Sequence, residues 1–281
     1  RHLDIAYTKF FKEKKGFPKF KSKKKSKHSF ECPQNIKILI DTKHVQIPKI
    51  GKLKIKEKLI DQGKLKCVWV SKTSSGKYFA TCLFENNKQE IITTTPKINK
   101  AIGIDLGLKH FATLSNEEKI ENPKYLKQSL KKLKVLQQRL SKKEKGSSNR
   151  NKQRIKVAKK YEKITNQRKD FLHKITHRLT NDNQINTLCI EDLNVCGMVK
   201  NRKLSQSIND VSWGEVRRQL EYKANWYGKN IIVIGRFEPS SKLCTCGHLN
   251  NNLLLTDREW TCDVCNTTHD RDILAANNIK R

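Results

Sequence analysis

Acidic residues that follow apolar runs are the first candidates for chemistry in this sequence. Asp105 ends the run AIGID, Glu191 ends the run TLCIE, and Asp270 and Asp272 lie where a C-terminal helix is expected to begin. A carboxylate at the end of a buried strand loses much of its hydration. It must therefore be hydrogen-bonded, paired with a cation or bound to a metal.

Each acid also has a structural interpretation. Asp105 can be a turn residue before Gly107, Asp192 competes with Glu191, and an acid at a helix start can be an N-cap. Three acids from distant segments favour a metal site, because such clusters hold two Mg²⁺ ions about 4 Å apart in phosphodiester cleavage. Oxygen ligands select Mg²⁺ or Mn²⁺ over Zn²⁺.

A cysteine cluster near the C-terminus indicates a second metal site. Four of the nine cysteines fall in one short stretch: Cys244, Cys246, Cys262 and Cys265. The second pair has the C-x-x-C spacing of a zinc knuckle, whereas the first pair, C-x-C, is one residue closer. We expect a structural Zn²⁺ bound by all four cysteines, with His248 as the reserve ligand. The alternative, buried free thiols, explains isolated cysteines better than a cluster.

The elements that would position these groups fall into two regions. Residues 30–97 contain short apolar runs with a period near two, separated by turn residues, which predicts a small antiparallel sheet or all-β barrel. The runs are Ile36–Ile40, His44–Ile47, Leu53–Ile55, Cys67–Val70 and Tyr78–Phe84. Lysines at outward positions predict a basic platform beside an apolar core: Lys52, Lys54, Lys56 and Lys58.

Residues 98–237 have the element order of an α/β domain. The expected elements are a strand hairpin at 101–115, a helical hairpin within 123–180, a strand at 187–190, a helix at about 212–228 and a strand at 231–235. The cysteine segment, 238–268, interrupts this domain, and residues 269–281 return to it with a helix at 272–279. Trp213 and Trp226 are expected in the core.

The charge of the chain indicates a polyanionic partner. The 281 residues include 60 Lys plus Arg against 27 Asp plus Glu, a formal net charge of +33. Residues 1–29 are a basic segment in which Phe11, Phe17 and Phe20 alternate with lysines. This pattern favours a segment that binds nucleic acid. No membrane span or signal peptide is recognisable, so we expect a soluble, intracellular protein. Because the first residue is Arg, we expect the sequence to begin within a longer protein.

Five segments carry a resemblance to a known family. They are GIDLGLKHFATLS, IEDLNVCGM, SWGEVRRQLEYKANWYGK, FEPSSKLCTCG and THDRDILAANNI. Together they resemble the TnpB (OrfB) proteins of insertion sequences, relatives of the type V CRISPR effector nucleases, in order from about Leu3 to Ile279. The resemblance implies an α/β RuvC (ribonuclease H-like) nuclease domain with an inserted zinc ribbon, preceded by a small wedge-type barrel. Residues 1–29 would be a remnant of the helical recognition region.

The same resemblance implies a transposon-encoded, RNA-guided DNA endonuclease that uses Mg²⁺ or Mn²⁺. Its acids fall on Asp105, Glu191 and Asp272, with Asp105 bridging both metal ions and the other two each completing one. Asp272 is preferred to Asp270 because it aligns with the acid of the family motif, in which Leu274 replaces an Asn. The implied partners are guide RNA and double- and single-stranded DNA, in the cytoplasm at the nucleoid, and the oligomeric state stays open.

Two other functions remain open. A transposase in the strict sense would use the same carboxylates to join DNA strands. A catalytically silent protein would use the guide and the ribbon to occupy DNA without cutting it. The presence of all three acids favours an enzyme.

Overall fold

The computed structural model of the protein describes residues 2–20, 22, 28–39, 43–57, 63–85, 95–254 and 256–281. The chain divides into two compact units, Arg1–Lys88 and Gln89–Arg281. Several positions used in the sequence analysis lie outside the described residues: Ile40, Lys58 and parts of the basic segment and of the region before residue 95.

The first unit is a helix followed by two antiparallel sheets. Its elements are α1 (His2–Lys12), β1 (Ser29–Cys32), β2 (Lys37–Leu39), β3 (His44–Ile47), β4 (Gly51–Lys54), β5 (Lys64–Lys72) and β6 (Tyr78–Glu85). One sheet has the order β1-β5-β6 and the other β2-β3-β4. Val45, Ile47 and Val68 are buried. The antiparallel strands agree with the sequence, and closure into a wedge-type barrel stays a prediction.

The expected lysine platform is partly seen on β4. Lys52 and Lys54 are exposed, as is Lys56 just beyond the strand. Leu53, which belongs to one of the apolar runs, is also exposed, as is every other residue of β4. The apolar side of this sheet is instead supplied by Val45 and Ile47 of β3.

The second unit is built on a five-stranded sheet. Its strands and helices are β7 (Ala101–Leu106), β8 (His110–Leu114), β9 (Lys119–Glu121), α2 (Tyr125–Ser141), α3 (Ser148–Asn181), β10 (Thr187–Glu191), α4 (Val195–Met198), α5 (Ser205–Val211), α6 (Trp213–Tyr227), β11 (Asn230–Ile234), β12 (Glu259–Thr261), β13 (Thr268–Asp270) and α7 (Arg271–Lys280). The sheet order is β11-β10-β7-β8-β9. β10 runs parallel to β7 and β11, while β7, β8 and β9 form an antiparallel meander. This α/β arrangement agrees with the sequence analysis.

The core of this unit lies between the sheet and the helices. Strand residues such as Ile104, Phe111 and Leu188 join helix residues such as Leu172 and Leu220 in one buried cluster. Apolar runs in β7 and β10 are therefore buried, which explains why acids at their ends lose hydration. Helices α4 and α5 are additional to the expected elements, because residues 194–209 are mostly polar. β9 is additional as well, because three residues are too few to show a period.

The helical hairpin is closed by capping contacts at the break that the sequence indicated. The hydroxyl of Ser147 accepts a hydrogen bond from the Arg150 amide at 3.1 Å and caps α3. The Arg150 guanidinium donates to the carbonyl oxygens of Leu140 and Lys143 at 3.0 and 2.6 Å. These bonds satisfy carbonyl groups at the end of α2 and fix the turn between the two helices.

The two tryptophans of α6 lie in different environments. Trp213 is 3% exposed and belongs to the core, as expected. Trp226 is 64% exposed, so the expectation of a core position is wrong for this residue. None of the helices in the described part of the chain is long and apolar enough to cross a membrane.

Candidate functional site

Asp105 and Glu191 lie at the same edge of the five-stranded sheet. The parallel strands β7 and β10 pair Ile104 with Ile190. Asp105 and Glu191 directly follow these two residues, so they occupy adjacent positions on strands that are about 4.8 Å apart. The strand register thus brings together two acids that are distant in sequence.

Helix α7 brings Asp272 to this edge. α7 packs on β7, β8 and β10, and its backbone approaches β7 where Gly103 has no side chain. Asp272 is in the first turn of α7. Burial and the negative charge of Asp272 both raise the pKa of Asp105, so the two carboxylates are close enough to repel each other.

Burial and repulsion act together on these carboxylates. Burial raises the pKa of Asp105 to about 7, and the charges of Asp272 and Glu191 add to the increase. The positive charge of Arg271 opposes it. Burial also raises the pKa of Glu191, with a further contribution from Asp192. Oxygen donors in a partly buried site are the ligand type that Mg²⁺ or Mn²⁺ prefers, and a divalent cation would relieve their repulsion. Among the described residues only the four cysteines have all their ligand atoms within 4.8 Å of one another, so the three carboxylates are spread more widely than the sulfurs.

Asp270 serves as a helix cap in the structure. Its Oδ1 accepts hydrogen bonds from the amides of Asp272 and Ile273 at 3.0 and 3.1 Å. Its Oδ2 lies 2.5 Å from the Lys119 ammonium on β9. Burial would raise the pKa of Asp270, but the hydrogen bond from Lys119 and those from the amides outweigh it, so the pKa is lowered. Both oxygens are thus engaged, whereas Asp272 has one distant cation, Arg258, at 3.7 Å.

Asp192, the competitor of Glu191, is held by two arginines. Arg217 donates to Oδ1 at 2.8 Å and Arg236 donates to Oδ2 at 2.6 Å. These hydrogen bonds lower the pKa of Asp192. The two neighbouring acids therefore differ: the pKa of Glu191 is raised, whereas two arginines neutralise Asp192.

The four cysteines form one cluster. Their ligand atoms all lie within 4.8 Å of one another. The Sγ atoms are 3.5 Å apart for Cys244 and Cys265 and 3.7 Å apart for Cys246 and Cys262. Tetrahedral zinc with Zn–S bonds of about 2.3 Å requires sulfurs about 3.8 Å apart, so the cluster fits zinc.

The short C-x-C spacing is accommodated by a tight turn. The Gly247 amide donates to the Cys244 carbonyl at 3.0 Å, and Gly247 has φ +90°, a conformation that glycine adopts without strain. The Cys244 amide donates to the His248 carbonyl at 2.8 Å. His248, the expected reserve ligand, therefore contacts Cys244 through its backbone carbonyl.

A different histidine contacts the cysteine cluster. His269 of β13 is 9% exposed, and its Nε2 lies 3.0 Å from the Cys244 Sγ. Sequence reasoning missed this residue, because it lies outside the C-x-C and C-x-x-C motifs and beside Asp270. Its proximity to the cysteines depends on the pairing of β12 with β13.

The ribbon also shares a small core with α7. The buried cluster consists of Cys244, Leu253, Trp260, Cys262 and Leu274. Leu274, which replaces an Asn of the family pattern, is 3% exposed and comes from α7. In this chain Leu274 therefore packs against the cysteine segment.

A basic groove lies between α2 and α3. It has a volume of about 440 Å³ and is lined by five cations: Arg139, Lys142, Lys143, Lys152 and Lys156. Asn149 and Gln153 complete the lining. Such a concentration of positive charge is suited to phosphate groups.

Two family models match successive parts of the chain. A model described as "probable transposase" (OrfB of IS605) matches residues 81–202, which include Asp105 and Glu191. A model described as "Cas12f1-like, TNB domain" matches residues 213–279, which include the four cysteines and Asp272.

Comparison with individual proteins gives similarity over almost the whole chain. A protein of Streptomyces pristinaespiralis, named as a candidate RNA-guided DNA endonuclease, is 42% identical over 99% of this chain and 68% of its own length. InsQ of Escherichia coli K12, named in the same way, is 31% identical over 99% of this chain and 71% of its own. A cryo-EM structure of a Cas12f1–sgRNA–target DNA complex has a TM-score of 0.49 and 21% identity over 76% of this chain and 55% of that chain. The two sequence relatives confirm the resemblance, and the chain belongs to the TnpB (OrfB) family of insertion-sequence proteins.

Proposed function

We propose that the chain is a transposon-encoded, RNA-guided DNA endonuclease that requires Mg²⁺ or Mn²⁺. The observation that carries the proposal is the pairing of Ile104 with Ile190, which places Asp105 and Glu191 at adjacent positions on parallel strands. Burial and the charges of Asp272 and Glu191 also raise the pKa of Asp105. Two acids from separate segments, Glu191 and Asp272, thus act on Asp105. The names of the two relatives, both candidate RNA-guided DNA endonucleases, support DNA as the proposed substrate and RNA as the proposed guide.

The proposed roles of the acids follow from their positions. Asp105, which responds to the charges of both other acids, would contact both metal ions, while Glu191 and Asp272 would each complete one site. When bound, divalent ions at such a site lower the pKa of water and neutralise charge on the phosphate. Arg217 and Arg236 neutralise Asp192 and leave Glu191 available as a ligand.

The proposed domain organisation assigns the acids to a RuvC-type nuclease. Residues 98–237 and 269–281 would form this ribonuclease H-like domain, residues 238–268 the zinc ribbon, and residues 30–97 the wedge domain. The four cysteines would hold a structural Zn²⁺. We place the protein in the cytoplasm, where transposon DNA is accessible.

Positive surfaces would bind the nucleic-acid backbones. In the second unit, the groove between α2 and α3 offers five cations to phosphate groups. In the first unit, Lys52 and Lys54 of β4 are exposed. Contacts of this kind are independent of sequence, so the guide would provide sequence recognition by base pairing.

Guide-dependent cleavage of a plasmid tests the proposal. The chain is expressed with the RNA encoded at the end of its own element and incubated with Mg²⁺ and a plasmid library that carries a matched target. Asp105→Asn keeps the size of the side chain and removes the ligand charge, so we expect it to abolish cutting. Asp170→Asn is the matched control, because the Asp170 side chain is 62% exposed and pairs with Lys174 on α3.

The products separate the proposal from its alternatives. Linear plasmid that depends on guide, metal and Asp105 supports the endonuclease. Joined strands would indicate a transposase in the strict sense. Guide-dependent binding without cutting, in both proteins, would indicate a silent binding protein and contradict the proposal.

A further inference from the structure

The cysteine cluster and the candidate catalytic helix are joined by one short strand. β13 ends at Asp270, α7 begins at Arg271, and Asp272 lies in the first turn of that helix. His269 is the central residue of β13 and pairs with Trp260 of β12. A side-chain contact of His269 with the cysteine cluster therefore lies three residues from a candidate metal ligand of the nuclease site.

The contact between His269 and Cys244 has the geometry of a hydrogen bond. The His269 Nε2 is 3.0 Å from the Cys244 Sγ. Two ligand atoms of one tetrahedral zinc, nitrogen at about 2.1 Å and sulfur at about 2.3 Å, would lie about 3.6 Å apart. The observed distance is shorter than that, and the four atoms that cluster together are all cysteine sulfurs. His269 is thus placed as a donor to a ligand and not as a ligand.

The direction of this hydrogen bond follows from the charge of a zinc ligand. A cysteine that binds zinc is a thiolate, which accepts hydrogen bonds and donates none. The His269 Nε2 must then carry the proton. Such donors to metal ligands orient the ligand and strengthen metal binding, and their loss costs about 10–100-fold in metal affinity.

Other contacts show that the start of α7 is attached to the ribbon. Leu274 packs among Cys244, Cys262 and Trp260. The Arg271 amide donates to the Arg258 carbonyl at 2.8 Å, and the Arg271 guanidinium donates to the Leu254 carbonyl at 2.8 Å. Because these contacts are made to the backbone of the ribbon, they depend on the ribbon being folded.

We propose that His269 is a positioning residue that couples zinc binding by the four cysteines to the placement of Asp272. The hydrogen bond from His269 to Cys244 fixes β13 to the zinc-bound ribbon, and β13 in turn fixes the first turn of α7. This inference rests on the proposed function, because it takes the cysteines as zinc ligands and Asp272 as a nuclease ligand.

The zinc affinity of the complete 281-residue chain tests the hydrogen bond. We expect His269→Ala to weaken zinc binding about 10-fold or more in chelator competition. His269→Gln retains a side-chain N–H donor and should restore most of the affinity. His248→Ala is the matched control, because His248 contacts Cys244 through its backbone carbonyl, and it should bind zinc as the unmodified chain does. Unchanged affinity in His269→Ala would overturn the proposal.

Cobalt substitution distinguishes a donor from a ligand. With Co²⁺ in place of zinc, the absorption spectrum of a four-thiolate site should be the same in the unmodified chain and in His269→Ala. A change of spectrum that indicates loss of a nitrogen ligand would overturn the assignment of His269 as a donor.

Hydrogen exchange tests the coupling to Asp272. Removal of zinc with a chelator should accelerate amide exchange in residues 268–273 of the unmodified chain. In His269→Ala these amides should exchange rapidly even with zinc bound, while His248→Ala behaves as the unmodified chain. Exchange that does not respond to zinc would overturn the coupling. Neither zinc affinity nor exchange requires DNA cleavage, so a chain that fails to cut DNA yet gives these results would contradict only the proposed function.

Discussion

A Cβ atom on Gly103 would lie 1.9 Å from the carbonyl oxygen of Ala276. Helix α7 therefore contacts β7 backbone to backbone. Asp105 lies two residues after Gly103, about 6.6 Å along the strand, and Asp272 lies about 6 Å before Ala276 along the helix. The absence of a side chain at Gly103 thus determines how closely the two candidate ligands approach each other.

Gly103→Ala should separate α7 from the sheet. The added methyl group must displace backbone, so we expect a loss of stability of about 1–3 kcal/mol or more and a large loss of guided cleavage. Thermal unfolding and the plasmid assay measure the two effects. Gly214→Ala is the control, because a Cβ on Gly214 meets nothing within 4 Å and alanine favours the helix. Equal behaviour of the two variants would contradict the close contact.

Asp105 should make the stability of the metal-free chain depend on pH. Its pKa is raised from 3.8 to about 7 in the folded state, so the folded chain binds the proton more tightly than the unfolded chain. The stability that this proton provides is present below about pH 4 and is lost as the pH rises to about 7. We expect Asp105→Asn to remove this part of the pH dependence, as measured by denaturant unfolding in a chelating buffer.

Divalent metal should restore the stability lost at high pH. At pH 8, Mg²⁺ or Mn²⁺ should raise the unfolding temperature of the unmodified chain, because a bound cation relieves the repulsion between the carboxylates. Asp105→Asn should respond less, and the exposed control Asp170→Asn should respond fully. An equal response of all three proteins would place the metal elsewhere.

The basic groove between α2 and α3 should contribute to the salt dependence of nucleic-acid binding. Lys152→Gln combined with Lys156→Gln removes two of its five cations. We expect weaker binding of any sequence and a decrease of about 2 in the slope of log affinity against log salt. Lys174→Gln is the control on the same helix, because Lys174 pairs with Asp170. An unchanged slope in the double variant would exclude the groove from the interface.

Leu274 should stabilise the ribbon as well as α7. Its side chain is 3% exposed and packs against two of the cysteines, so Leu274→Ala should cost about 2–5 kcal/mol in this small core. We expect faster alkylation of the ribbon cysteines and weaker retention of zinc. Leu254→Ala is the matched control, because Leu254 in the same segment is 64% exposed. Equal alkylation rates in the two variants would contradict the shared core.

The strands that contain Asp105 and Glu191 could be predicted because their apolar runs are strong and short. The helical hairpin was also clear, since its break contains the residues that cap α3. The expected core position is wrong for Trp226 because it does not share the buried face of α6 with Trp213. Thirteen residues of helix rotate a side chain by roughly 220° relative to the first, so the two tryptophans lie on different faces.

Other parts of the site depend on tertiary pairing and have no local signal. The ion pair of Asp270 with Lys119 requires β9, a strand of three residues that is too short to show a period in the sequence. The contact of His269 with Cys244 requires the pairing of β12 with β13. Distances between such segments are set by the fold. Residue type and spacing alone therefore predict neither the contact of Asp270 with Lys119 nor that of His269 with Cys244.

Counting bound Mn²⁺ tests the central claim, that Asp105, Glu191 and Asp272 together hold divalent metal ions. Electron paramagnetic resonance of the complete chain gives the number and affinity of bound ions for the unmodified protein, Asp272→Asn and Asp270→Asn. Asn remains a good N-cap at position 270. The result that we predict is loss or strong weakening of at least one ion in Asp272→Asn and near-normal binding in Asp270→Asn. Normal binding in Asp272→Asn together with loss in Asp270→Asn would contradict the assignment.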